Sequence, residues 1–147
     1  MIKLIVIFML SGCSARPPVI PGQGAIPSLR CPSTPNCVSS YMVDTRHYVA
    51  PLRYAGDLDT AKKRLIAAIR SLNRSRIVAT EGLSIRAEFT SAFFGFIDDV
   101  EIFFDDTAKV IHVKSASRVG YFDFGVNRTR VERLRERFVA LQTHTPE

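Results

Sequence analysis

Three cysteines and three histidines in 147 residues leave little from which to build a metal centre. Structural zinc calls for four ligands, and Cys31 and Cys37 have no histidine close by in the chain. His47 and His112 lack paired ligand spacing, and His144 sits in the C-terminal tail. The acidic residues Asp98, Asp99, Glu101, Asp105 and Asp106 lack the spacing and the glycine of a calcium loop, so they read as solvated turns. No glycine-rich phosphate loop is present, and Cys31 and Cys37 are too far apart for the C-x-x-C spacing of dithiol oxidoreductases. No metal and no cofactor is therefore expected. Ser115 or Ser117 with His112 and Asp123 supplies the letters of a hydrolytic triad, but neither serine lies in a Gly-x-Ser-x-Gly elbow. A membrane-spanning helix needs roughly 20 apolar residues, and the run from Leu4 to Leu10 stops well short.

That short run has another meaning. Lys3, the run itself, then Ser11, Gly12 and Cys13 form the charged, apolar and small-residue regions of an export signal. Leu10-Ser11-Gly12-Cys13 resembles the lipobox of bacterial lipoproteins, which implies a signal peptide over residues 1–12 and lipidation of Cys13. In that pattern the new α-amino group is acylated as well, and each buried methylene adds about 0.8 kcal/mol to the anchor. Ser14, rather than Asp, follows the cysteine. In a host with two membranes this favours the outer membrane, facing the periplasm, over the inner one. Residues 13–30 are rich in Pro and Gly and read as a linker, which would reach roughly 50 Å if wholly polyproline-like.

The 20 basic and 14 acidic residues give a net charge of +6. The cations are spread among acids, which suits a solvated face, and export argues against a nucleic-acid partner. With Cys13 lipidated, Cys31 and Cys37 remain as an even pair in an oxidising compartment, so a disulfide is expected.

Residues 31–147 are long enough for one domain with an apolar core. Leu58, Ala61, Leu65, Ala68, Ile69 and Leu72 recur at helical spacing after a capping Asp57. Arg76 to Glu81 reads as a strand that turns at Gly82. Leu83, Ile85, Ala87 and Phe89 then alternate with polar residues, as do Val100, Ile102 and Phe104. Val110 to Ser115 returns after the turn at Asp105 to Lys109. A last helix is expected from Asn127 or Thr129, with Thr129 and Glu132 at capping-box spacing, burying Val131, Leu134, Phe138 and Leu141. Arg128, Arg133, Arg135 and Arg137 fall mostly on its wet side. The fold class predicted is α+β: an antiparallel sheet of four to five strands with two helices packed on one face.

Three blocks carry a family resemblance: Cys31-Pro-Ser-Thr-Pro-Asn36-Cys37-Val-Ser-Ser40, Phe96-Ile-Asp98-Asp99-Val-Glu101, and the stretch from Ser115 to Arg130. Together they resemble the DUF1499 family, which is named for its unknown function and brings no catalytic residues. Candidate ligand or partner contacts are Phe94, Asp98, Asp99, Ser117, Arg118, Asp123, Asn127 and Arg130. Arg118 offers a planar fork for a carboxylate or phosphate. The alternative is local structure, with Arg118 or Arg130 pairing with Asp98, Asp99 or Asp123 and Asn127 capping the helix. Phe93, Phe94 and Phe96 form an apolar patch if exposed, while burial under a sheet edge is the ordinary expectation for such residues.

The reading favoured is an envelope lipoprotein whose domain is a non-catalytic binding or accessory module for a partner protein or an amphiphilic ligand. A small envelope hydrolase or transferase using Asp98, Asp99, Ser115 or Asp123 is the alternative.

Overall fold

The structure is a computed structural model and describes residues 29–92 and 94–143. Cys13, the signal and most of the linker, Phe93 and His144 lie outside the described residues. Eight elements follow in order: β1 (Cys37–Ser39), β2 (Leu52–Arg53), α1 (Leu58–Arg70), β3 (Ser75–Glu81), β4 (Ser84–Thr90), β5 (Ile97–Asp105), β6 (Val110–Ser117) and α2 (Val126–Thr143). The strands form one six-stranded antiparallel sheet in the order β1-β6-β5-β4-β3, with β2 also pairing on β6. The architecture is α+β as expected. Its two extra pieces, β1 and β2, share the outer edge of β6.

Period-two alternation builds the core. On β4 and β5 the residues Ile85, Ala87, Phe89, Val100, Ile102 and Phe104 are buried beneath the helices. Their neighbours Arg86, Glu88, Asp99 and Glu101 fall on the opposite, open face, because successive side chains of a strand alternate sides. Helix α1 adds Ala61, Leu65, Ala68 and Ile69, and α2 adds Val131, Leu134 and Phe138. Each large side chain so enclosed contributes about 1.5–3 kcal/mol. Asp57 caps α1 by accepting from the Thr60 amide at 2.8 Å.

The second helix departs from expectation at both ends. It begins at Val126, and neither Asn127 nor Thr129 caps it. Asp123 reaches forward instead, its carboxylate accepting from the amides of Gly125 and Asn127, both at 3.0 Å. The Asp123 side chain thus performs the capping that the Thr129-Glu132 spacing had suggested. At the other end Leu141 is exposed rather than buried.

Cys31 and Cys37 are bridged, with Cα atoms 5.7 Å apart. Leu29, ahead of the boundary drawn from the prolines, is buried, and its carbonyl accepts from the Ser39 hydroxyl. Arg128 donates to the carbonyls of Tyr48 and Arg46, and Arg135 to those of Pro51 and Ala50. These two arginines, placed on the wet side of α2 from periodicity, tie the chain between β1 and β2 to the helix.

Candidate functional site

Where β5 and β6 meet the start of α2, a polar knot is folded inside the protein. Asp98 on β5 pairs with Arg130 on α2, and both side chains are almost wholly enclosed. Arg130 also donates to the Ser115 hydroxyl at 3.0 Å and to Asn127 Oδ1 at 2.5 Å, while Ser115 donates to that same oxygen at 2.6 Å. The Asn127 side-chain amide donates to the Asn36 carbonyl, the Ser117 hydroxyl and the Asp123 carboxylate at 3.1, 2.9 and 3.0 Å. Asn36 in turn donates to the Gly120 carbonyl at 2.7 Å. Among the described residues no buried side-chain polar atom lacks a partner. Burial of a charge is tolerable only when it is paired and hydrogen-bonded, and here it is both. The knot holds sheet, helix and loop together and leaves no group aimed at a ligand.

Arg118 lies on the other face. It forms a fork on Asp99, Nε to Oδ2 and Nη2 to Oδ1 both at 2.7 Å, and also pairs with Glu88, which takes Arg76 at 2.5 Å from its other side. Arg118, then Arg76, hold the Glu88 carboxyl below its usual range, and Asp99 and Glu88 push the Arg118 guanidinium still higher. The planar fork proposed for an external anion is thus occupied by the protein's own carboxylates. A shallow pocket of ≈ 340 Å³ beside them is lined by both signs of charge.

Triad geometry is absent from these residues. Ser115 and His112 are three positions apart on one strand and so occupy opposite sides of the sheet. His112 is bonded to Ser40 at 3.2 Å and lies against the Tyr41 ring, and burial lowers its pKa. The Asp123 carboxylate is engaged by the first turn of α2. Among the described residues no group of three or more His, Cys, Asp or Glu could hold a metal ion.

The open chemistry is elsewhere. A groove of ≈ 630 Å³ runs between the C-terminal end of α1, the end of β4 and the exposed side of α2. Leu72, Phe89, Phe94, Phe124 and Val126 supply its apolar lining, and Arg74, Arg130, Arg133 and Arg137 its charge. Among the described residues no acid lines it, and Glu136 shares an adjoining pocket with Leu72, Arg133 and Arg137. Arg130 is committed to Asp98 and lies over the Phe89 ring at 4.9 Å. Arg133 and Arg137 have no carboxylate within ion-pair distance among the described residues, while Arg74 donates to the Thr90 carbonyl. Phe94 is 78% exposed and stacks on half-exposed Phe96, with ring centroids 5.5 Å apart. The expected burial of this loop under the sheet edge is therefore not what these two residues do.

The profile of the DUF1499 family, described as a protein of unknown function, matches residues 29–138. The chain belongs to the DUF1499 family. The DUF1499 match begins at buried Leu29 and ends at Phe138, the last core residue of α2, so it coincides with the packed body. No curated protein matches the chain. Of the candidate residues, the DUF1499 fold gathers Asp98, Ser117, Asp123, Asn127 and Arg130 in the knot, sends Asp99 and Arg118 to the open face, and puts only Phe94, with one edge of Arg130, in the groove. Arg74, Arg133, Arg137 and Phe124 were missed as groove residues. The available signal was Arg133 and Arg137 one turn apart on α2 without an i±4 acidic partner, together with an aromatic flanked by Asp and Gly.

Proposed function

We propose that this protein is a lipid-anchored envelope module that binds an amphiphilic anion in the Phe94–Phe124 groove without transforming it. The observation that carries this reading is the groove's composition, an apolar lining beside three exposed arginines with no acid in the lining among the described residues. An acyl or other apolar tail suits Leu72, Phe94 and Val126, and a phosphate or carboxylate head suits Arg133 and Arg137, whose guanidinium groups are matched to such oxyanions. A pocket of this size is within the range of small-ligand sites. The Leu10-Ser11-Gly12-Cys13 pattern supports the anchor, and Ser14 supports an outer-membrane position facing the periplasm. An envelope partner protein could present such a ligand.

Native mass spectrometry of the full chain, purified from membranes in mild detergent, tests both parts. The expected spectrum shows an acyl mass that Cys13→Ser abolishes and a co-purified anionic amphiphile that Phe94→Ala or the Arg133→Ala/Arg137→Ala pair releases. A chain that repeatedly comes without such a species, and that takes up none of an added lysophospholipid, would overturn the binding reading. Acyl mass alone decides the anchor.

A further inference from the structure

The groove is only one margin of a larger apolar end. Ser91 and Phe96 close the loop between β4 and β5, the Ser91 amide donating to the Phe96 carbonyl at 2.8 Å and the Phe96 amide to the Ser91 hydroxyl at 2.9 Å. The loop after β6 is joined to it by the Arg118 amide, which donates to the Ile97 carbonyl at 3.1 Å. The joined loops expose Phe94, Phe96, Val119, Tyr121, Phe122 and Phe124, with Tyr121 and Phe122 packed edge to face at 4.8 Å. So many large apolar side chains on one end of a folded domain mark a contact surface.

Phe124 decides that the surface is presented rather than merely left uncovered. It is 97% exposed and has a φ of +52°, a left-handed conformation that bulky side chains rarely adopt. Asp123 on one side bonds two amides of the following turn, and Gly125 on the other takes φ +79°, so the backbone is held in this shape. The backbone at Phe124 thus holds a phenyl ring in the solvent in a conformation that bulky residues rarely adopt.

We infer that this aromatic crest inserts into the surface of an anionic lipid bilayer, fixing the domain groove-side down on the membrane to which it is tethered. The inference rests on the anchor proposed above. Three observations select lipid as the occupant. Phenylalanine rings suit burial at the headgroup-acyl boundary of interfacial segments, and tyrosine suits the headgroup level. Arg74, Arg133 and Arg137 border the crest, where anionic head groups would lie, and Asp123, the acid between Phe122 and Phe124, is engaged by the amides of Gly125 and Asn127. The family match starts at Leu29, and residues 14–28 belong to the stretch read from its prolines and glycines as a linker. They would span on the order of 45 Å at full polyproline extension. The domain's entry also lies at the crest end, since Cys37 pairs with Ala116 and Asn36 bonds to Gly120.

The chain contains no tryptophan, so single substitutions become clean reporters. Phe124→Trp in the crest and Leu83→Trp in the β3–β4 turn at the far end are compared in full-length protein. The protein is reconstituted in vesicles of phosphatidylethanolamine and phosphatidylglycerol, with and without acyl-chain bromination. The expected result is blue-shifted Phe124→Trp emission that brominated lipid quenches, with Leu83→Trp unaffected. Equal quenching of both, or of neither, would overturn the crest. An acylated chain with unquenched Phe124→Trp leaves the anchor standing and removes the crest. A quenched crest in Cys13→Ser protein added to the same vesicles supports the crest without the anchor. A Phe124→Trp shift that needs an added envelope protein and is absent from protein-free vesicles would assign the surface to a protein partner and overturn the proposal.

Discussion

The polar knot around Asn127 and the aromatic crest around Phe124 are three residues apart in the chain and opposite in kind. In the knot a buried ion pair, two asparagines and two serines satisfy one another, with Asn127 wholly enclosed. In the crest a phenyl ring stands in water on a backbone it does not favour. The knot is explained by the folded domain alone, because each of its groups has an internal partner. The crest is not, because nothing inside the protein gains from it. A distinctive block of sequence can thus encode scaffold and contact surface side by side, and saturation of hydrogen bonds separates the two where residue type does not.

The largest effect is expected in the knot. Asp98→Ala leaves the Arg130 charge buried without its carboxylate and should cost on the order of 3–5 kcal/mol, read from the urea midpoint at constant slope. A loss below about 1 kcal/mol would mean that the pair is solvated and the knot less closed than its geometry. Next comes the bridge beside Asn36, whose carbonyl and amide serve knot and crest together. Replacing Cys31 and Cys37 by Ser should cost about 2 kcal/mol, read from the urea midpoint. Asp123→Ala removes the cap of α2, worth about 1 kcal/mol in a thermal melt.

Phe124→Asn probes the other side of the comparison and should reverse the sign. Asn tolerates the left-handed conformation and the lost ring buries nothing, so the melting temperature should rise, by the equivalent of up to about 1 kcal/mol, while vesicle binding falls. A destabilised variant would place Phe124 in the fold and not on a contact surface. The smallest effect is titration of His112, which belongs to neither region. Burial lowers its pKa from the ordinary 6.5, so the unfolded chain takes up the proton first. Stability should therefore be full above that value and decline as pH falls through it toward the depressed folded value. His112→Gln should flatten that part of a melting-temperature profile, and an unchanged profile would remove the assignment.

What could be read in the sequence was what repeats. Ala61, Leu65, Ala68 and Ile69 recur at helical spacing, and the alternations through Phe89 and Phe104 gave the sheet its buried face. The strands β1 and β2 span three and two residues, too few for a period to emerge, and they exist because β6 offers an edge to pair with. The pairings of Arg130 with Asp98 and Arg118 with Asp99 were foreseeable from charge among the alternatives weighed. Asn36 as the link to Asn127 was not, since 91 residues separate them. The crest escaped because a loop aromatic carries no periodic signal, and its exposure depends on where the chain turns.

The outer margins of the sheet bear on the anchor proposed above, which would bring copies of the domain together at high surface density. Proteins confined to a bilayer meet one another sideways and often, and a bare strand is an invitation to intermolecular pairing. On one margin the segment 47–49 runs beside β1, the Ser39 amide donating to the His47 carbonyl and the Ser39 carbonyl accepting from the Val49 amide, while Arg128 occupies the carbonyls of Arg46 and Tyr48 and Arg135 those of Ala50 and Pro51. On the other margin the register of β3 breaks between Ile77 and Ala79. Neither side offers a long, regular template, so crowded copies can collide without zipping into fibres.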